Sequence, residues 1–498
     1  MPKIEKILLI ALPYRGSTFH DIPTIPPMGI SYLAAVLRGN YQVKILDALA
    51  EGRNKERYLK WNFIEAGLST DEITREVAKF APQVVGISCV FSNQFPALAE
   101  LAAKIKKLSK DVIIVTGGTH PTFLPEQSFK HASDLDYIVL GEAEDSFPAL
   151  LSALEKGLGL DAVDGIAYRQ NGSVKINPKT KWIENLDTIP FPARDLLPLE
   201  KYFEINVPFM FYSKSPRNLS FISSRGCPFK CTFCSSCNYW NNRVRFRSVE
   251  NVMAELRELK SRYRIEEIKF EEDNLLLNRE RAKRLFRAMI DEKLNLHWNM
   301  PNGVYIMSLL DEELVRLMKE SGCFEVILAL ESGDQYVLDN IIHKPLDLEK
   351  TERVVKNLRD NDIDIHAFFI IGFPGETREQ IKNTLRFSQK IKIDKPYFFM
   401  FNPLPGSELY QQCIEKGYYD PEMVFYTNYS YNGITTDQFN PAMLRRWVYS
   451  ATILQNINLL FRDPKKLFTK YLGRVANRKN YRAITKALRT AALSPFRD

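Results

Sequence analysis

The stretch RGCPFKCTFC, residues 225–234, decides how this chain is read. Of the 7 cysteines in 498 residues, three fall within eight positions there: Cys227, Cys231 and Cys234, spaced four and three apart. Thiolates this close hold either zinc or an iron–sulfur cluster. Structural zinc takes four ligands, often as two separated cysteine pairs, and no second pair or nearby histidine completes such a set. Three cysteines on one short loop suit a 4Fe–4S cluster whose fourth iron stays open to chelate a substrate. Cys237 continues the spacing as CxxxCxxCxxC; it is read as a small half-buried residue, with a fourth-ligand role as the alternative.

Composition narrows the classes around this loop. With 45% hydrophobic and 26% charged residues, the chain is neither disordered nor membrane-spanning. No apolar run approaches the roughly 18 residues that a transmembrane helix needs. The opening MPKIEKILLIALPY reads as a first strand, not a signal peptide. Cys89, Cys323 and Cys413 are scattered, unlike a secreted disulfide framework, so a reducing cytoplasm is expected. The net charge of +8 is uneven: residues 440–498 hold thirteen Lys/Arg against Asp463 and Asp498. Such a basic tail, with Phe461, Phe468, Tyr471 and Tyr481 interleaved, suits an anionic surface.

Outward from the loop, the chain alternates strands and helices in two different rhythms. In residues 1–155, KILLIAL, YQVKILD, VVGISCV, VIIVTGG and DYIVLG read as buried parallel strands. GISYLAAVLRG and PALAELAAKIKKL between them have helical spacing, with Leu98, Leu101, Ala102, Ile105 and Leu108 on one face. This describes an α/β, doubly wound Rossmann-like sheet, which binds ligands beyond the carboxyl ends of its strands. Residues 156–217 read as a linker holding a hairpin with Asn171-Gly172 at its turn, followed by the Pro-rich IPFPARDLLP. Residues 218–425 give six further strands: NLSFISS, EEIKFEE, HWNM, FEVILALE, DIHAFFIIG and KPYFFMFN. With SVENVMAELRELKSRY and similar helices between them, they predict a partial TIM-type βα-barrel. Each strand is followed by Cys, Gly or polar residues, so one shared site is expected at the carboxyl ends. Residues 426–498 form a helical, basic C-terminal region.

Cys227-xxx-Cys231-xx-Cys234 at the end of a first barrel strand resembles the signature loop of the radical S-adenosylmethionine (SAM) superfamily. The resemblance implies a 4Fe–4S cluster on these three cysteines. Its open iron would bind the amino and carboxylate groups of SAM, and an electron from the cluster would release a 5′-deoxyadenosyl radical. KFEEDN resembles the acidic motif that receives the SAM amino group, which assigns Glu272 and Asp273. ALESG resembles the fourth-strand motif, with Glu331 and Ser332 near the SAM carboxylate or ribose. IIGFPGE resembles the glycine-bearing motif near the adenine, with Gly372, Pro374 and Gly375.

IPPMGISYLAAVLR, VVGISCVFSNQFPALAELA, VTGGTHPTFLPE and DYIVLGEAEDSF resemble the cobalamin-binding domain of one radical SAM subgroup, of iron–sulfur oxidoreductase type. NLDTIPFPARDLLP and FNPLPGSELY match that subgroup too, so the resemblance spans residues 4–415. It implies that Gly117, Gly118 and Gly141 let a large flat ring approach the backbone, while Ser88, Ser92 and Asn93 hydrogen-bond its amides or tail. The pattern Asp-x-His-x-x-Gly is absent: His20, His120 and His131 lack its neighbours, so no histidine is expected beneath cobalt.

The implied function is cobalamin-dependent methylation of an unactivated carbon. The alternatives are radical cyclisation, oxidation or carbon–carbon coupling without cobalamin, and, from other classes, a non-catalytic cofactor carrier or a zinc scaffold. The expected partners are a small-molecule or lipid substrate and an external electron donor of flavodoxin or ferredoxin type. Residues 462–498 are expected to cap the barrel or to lie on anionic lipid at the membrane periphery. Nucleic acid is disfavoured, since no binding fold accompanies the charge.

Overall fold

The computed structural model describes residues 3–17, 22–59, 63–207, 213–426 and 433–462. The basic segment 463–498 and His20 lie outside them. The five N-terminal apolar runs form β1 (Lys6–Ala11), β2 (Gln42–Asp47), β3 (Val84–Ser88), β4 (Ile113–Gly117) and β5 (Tyr137–Val139). Consecutive residues Ile7, Leu8, Leu9 and Ile10 of β1 are all buried. Helices cover both faces of the sheet, so its strands run apolar instead of alternating. The helices Met28–Leu37 and Phe95–Leu108 lie where the spacing places them. Leu108, assigned to the buried stripe, is instead exposed at the last helical position.

The hairpin differs from expectation in where it belongs. Its strands β6 (Ile166–Gln170) and β7 (Ser173–Asn177) meet at Asn171 and Gly172, both with positive φ, as the tight turn demands. They are not linker: β6 pairs antiparallel with β5 and extends the sheet, whose seven strands run β7-β6-β5-β4-β3-β1-β2. The parallel registers Ala11↔Ser88, Ser88↔Gly117 and Gly117↔Val139 bring the carboxyl ends of β1, β3, β4 and β5 level with one another. Strands are added to one side of β1 and then, from β3 on, to the other, so the winding reverses between β1 and β3 and a crevice opens there.

The second body is a six-stranded parallel sheet in sequential order. It consists of β8 (Asn218–Phe221), β9 (Glu267–Phe270), β10 (His297–Val304), β11 (Cys323–Glu331), β12 (Asp364–Ile371) and β13 (Lys395–Met400). The expected stripe Val249, Val252, Met253, Leu256 and Leu259 is buried along the helix Val249–Tyr263, which Ser248 caps. Helix Pro441–Arg462 packs beside β13 and closes that edge.

Residues 178–207 run along both bodies. Ala193 N donates to Ser31 O (2.9 Å) on the first body. The next residue, Arg194, is buried and donates to Glu255 Oε1 (2.5 Å) on the second. Arg247 pairs with the other oxygen of Glu255, and all three side chains are at most 5% exposed. Removing one partner of a buried ion pair is costly because the remaining charge stays desolvated. Arg194→Ala is therefore expected to destabilise the protein by about 3 kcal/mol, read as a lowered urea midpoint.

Candidate functional site

A two-residue ribbon closes the neck of the cysteine loop: Ser224 pairs with Phe246 and Arg225 with Arg245. Gly226 follows at φ 97, and a Cβ there would lie 2.0 Å from Arg243 O, so only glycine makes the turn. The loop is tied to the barrel by Thr232, which donates to Ile342 O (3.1 Å) and Ile341 O (2.8 Å) and accepts from Leu409 N (2.9 Å). All seven cysteines are free thiols. Burial pushes Cys227 upward, Cys231 to about 11 and Cys234 to about 12, so the thiolates need a compensating cation. Lys344, 3.1 Å from Glu331, brings positive charge near Cys231.

Among the described residues, no group of three or more His, Cys, Asp or Glu side chains converges on a single-ion site. A cube, whose irons sit apart, takes three donors spread around a loop, whereas one zinc ion does not. The donor set fits a 4Fe–4S cluster. Cys237 lies on the short helix Ser236–Tyr239 with its Sγ 3.6 Å from Cys234 O; like Cys227 and Cys231, it does not line the cavity that Cys234 lines.

That cavity, about 570 Å³, separates the two bodies. One wall is the strand ends with Ser88, Gly117, Gly118 and Gly141; the other has Ser224, Arg225, Cys234, Glu271, Glu272 and Asp273. Gly29, Gly86, Gly117, Gly118 and Gly141 border the cavity among apolar side chains such as Leu33 and Phe147. Gly118 sits at φ 111, where a Cβ would lie 2.5 Å from Cys89 O, and a Cβ on Gly29 would enter open space. Gly118 is required by the close approach of Cys89, while Gly29 leaves room at the cavity edge for a broad ring such as the corrin of cobalamin. Ser92 and Asn93 do not reach this cavity. Ser92 Oγ is 2.9 Å from His120 Nδ1, and Asn93 Nδ2 donates to Arg15 O (3.0 Å). His120 is buried against Phe95 and Phe425, and burial lowers its pKa to about 3. Among the described residues, no histidine lines the cavity.

The strand-end acids are sorted by their neighbours. Glu272 is buried, and its carboxylate accepts Ser223 N (2.9 Å), Ser223 Oγ (3.1 Å) and Ser224 Oγ. It borders the cavity and at the same time holds the ribbon that leads into the cysteine loop. Asp273 and Glu271 also border the cavity, with Ser236 and the Gly226 amide beside the first and Ser220 beside the second. Glu331 has φ 63, rare for a residue with a side chain, after a bulge in the pairing of β11 with β12. The bulge turns Ser332 away: its side chain is fully buried, with Oγ 3.1 Å from Thr384 Oγ1 and 3.1 Å from Asp334 N.

Gly372 (φ 87) serves packing, since a Cβ would meet Leu444 Cδ1 at 2.5 Å; Pro374 is buried beside it, and Gly375 (φ 90) opens onto free space. None of Glu331, Ser332, Gly372, Pro374 and Gly375 lines the 570 Å³ cavity. Glu376 accepts Gly372 N (2.7 Å) and Phe373 N (3.0 Å), and burial raises its carboxyl to about 8.

Sequence reading missed the groups that join the walls. Arg225 donates to Glu142 Oε1 (2.8 Å) and Glu144 Oε1 (2.6 Å), and Arg245 donates to Glu142 Oε2 (2.7 Å). The signal was present: GEAE follows a strand end and Arg225 abuts the cysteine loop, both of them charges beside glycines in otherwise apolar surroundings. Glu271 was legible from the alternation Glu267, Lys269, Glu271 along β9.

A model of the radical SAM superfamily matches residues 221–388, and one of the B12 binding domain matches residues 23–151. Cytidylyl-2-hydroxyethylphosphonate methyltransferase of Streptomyces wedmorensis is 35% identical over 455 residues, 85% of this chain and 84% of that protein. The chain belongs to the cobalamin-dependent radical SAM family. This radical SAM chain is also 28% identical, over 82% of its length and 70% of the relative's, to an anaerobic magnesium-protoporphyrin IX monomethyl ester cyclase of Rubrivivax gelatinosus. The radical SAM methyltransferase TsrM from Kitasatospora setae, solved with cobalamin and a [4Fe–4S] cluster bound, shares the fold. That likeness has a TM-score of 0.64 at 17% identity, over 83% of this chain and 78% of the other. The cofactors of this enzyme are a 4Fe–4S cluster, SAM and cobalamin.

The Glu376 carboxyl gives a pH signature. Its folded pKa lies above the ordinary 4.5, so its contribution to stability is full below that value, declines as pH rises, and levels off above about 8. Glu376→Gln cannot ionise, so its thermal midpoint should gain on the wild type between about pH 5 and about pH 8.5.

Proposed function

We propose that this radical SAM enzyme methylates an unactivated carbon of a small molecule held between its two bodies. The observation that carries the reading is the single cavity bounded by Cys234 and Asp273 on one side and by Ser88, Gly117 and Gly118 on the other. When bound, the cluster supplies the electron that cleaves SAM and cobalamin supplies the methyl group. Cys227, Cys231 and Cys234 would hold three irons and leave the fourth for SAM. Asp273 and Glu271 face the cavity, which favours them for the SAM ammonium, because a carboxylate in a desolvated cleft makes a strong charge-assisted hydrogen bond. Ile30, Leu33, Val115 and Phe147 give the cavity its apolar lining, which excludes water from a radical. An external donor of flavodoxin or ferredoxin type would deliver the electron.

We further infer a site of action at a lipid surface. No helix among the described residues is long and apolar enough to cross a membrane. Tyr449, Ile453, Leu454 and Ile457 nevertheless lie exposed along the helix Pro441–Arg462, immediately before the basic tail. Apolar residues beside clustered cations match an interfacial helix on anionic lipid.

Anaerobic incubation of the reconstituted enzyme with methyl-deuterated SAM and a reductant should yield 5′-deoxyadenosine, and Cys231→Ala should abolish it. Extracts lacking the protein, supplied as substrate, should contain a compound that gains the labelled methyl group. Loss of hydrogen from that compound without label transfer overturns methylation in favour of cyclisation or oxidation. In sedimentation with anionic vesicles, the full chain should co-pellet, and Ile453→Glu with residues 463–498 deleted should remain in solution. Equal binding by both removes the lipid reading.

A further inference from the structure

The loop between Arg225 and Arg245 contains every cysteine of the cluster motif, and both arginines end on the same acid. Arg225 reaches Glu142 at 2.8 Å and Glu144 at 2.6 Å; Arg245 reaches Glu142 at 2.7 Å and Ile183 O at 2.7 Å. Glu142 follows Gly141 just beyond β5, at the cobalamin side of the cavity. All four side chains are less than a tenth exposed. The guanidinium of Arg225 lies 5.1 Å over the Tyr32 ring, and that of Arg245 lies 5.7 Å from Trp182 and 5.5 Å from Trp240. Tyr239, from within the loop, adds a hydroxyl bond to Gly141 O (3.0 Å).

Two positive and two negative groups thus cancel in a dry, aromatic-walled setting, where charge attraction is strong and planar arginines are held rigidly. The two bodies are already stapled elsewhere by the Arg194 linker. The second junction sits where one cofactor wall meets the other.

We propose that Glu142, Glu144, Arg225 and Arg245 are positioning residues that set the separation of the cluster from the corrin, by clamping the neck of the cysteine loop onto the end of β5. The inference rests on the reading of the cavity as the site of both cofactors. It assigns the clamp a task that folding alone does not require: the hydrogen-abstracting atom and the methyl donor must address one carbon. A misplacement of roughly 1 Å can cost about 10²-fold in rate. Lysine at 225 cannot span two carboxylates, since it lacks the fork of donors.

The test is magnetic. Wild type, Glu142→Gln, Glu144→Gln and Arg225→Lys are reconstituted with iron, sulfide and hydroxocobalamin. They are then reduced so that the cluster and Co(II) are both paramagnetic. Power saturation of the Co(II) signal reads the relaxation caused by the nearby cluster, which falls steeply with separation. Iron and cobalamin content, by absorbance, should match the wild type, while the half-saturation power changes several-fold in Glu142→Gln and Arg225→Lys and less in Glu144→Gln. Unchanged saturation in Glu142→Gln with both cofactors present overturns the clamp. So does loss of cobalamin from that variant, which would make Glu142 a cofactor-holding residue. Should Arg225→Lys fail to fold, the two glutamine variants decide. Failure of the wild type to take up hydroxocobalamin refutes the cavity reading itself and is distinct from either outcome.

Discussion

The carboxylate of Glu142 accepts from arginines on both sides of the cysteine loop, and the arrangement of the site follows from that contact. A loop of this length after a barrel strand has no reason of its own to face a neighbouring domain. Here its neck is a ribbon of two residues per strand, too short to be stable alone. What holds it is the three ionic contacts to the other body and the acceptance of Ser223 and Ser224 by Glu272. Burying these charges is costly, and the cost is offset because each is paired and both arginines lie over aromatic rings. The consequence is one cavity in place of two separate clefts.

Most of the architecture was legible in the sequence because it is written in periodicity. The five apolar runs of the first body and the six of the second became strands where read, and the stripe from Val249 to Leu259 became the buried face of its helix. The hairpin at Asn171-Gly172 was legible as a turn but not as part of a sheet, since pairing with β5 is a long-range choice that a local signal does not contain.

The site was legible in its positions more than in its orientations. Cys234, Asp273, Ser88, Gly117, Gly118 and Gly141 share the cavity, as their strand-end placement implied. Ser332, Ser92 and Asn93 sit at the right ends of the right strands yet point elsewhere. For Ser332 the reason is the register shift between Ala329 and Glu331, which throws the alternation by one residue and puts Glu331 in a left-handed conformation. Such a conformation costs about 1–2 kcal/mol for a residue with a Cβ, and strain of this kind collects at functional positions. Glu272 keeps its place at the cavity edge while three donors from residues 223 and 224 fix its carboxylate.

The sheet order has a consequence for how the chain behaves among its own copies. Its outermost strands are β2 and β7, whose rims would otherwise offer unpaired amides and carbonyls to any passing strand. Each carries a lysine, Lys44 on one and Lys175 on the other, tethered to Glu76 and Asp161 respectively. A second molecule approaching edge to edge would have to strip water from that ammonium before it gained a single ladder bond. Aggregation through the sheet is therefore opposed at both rims.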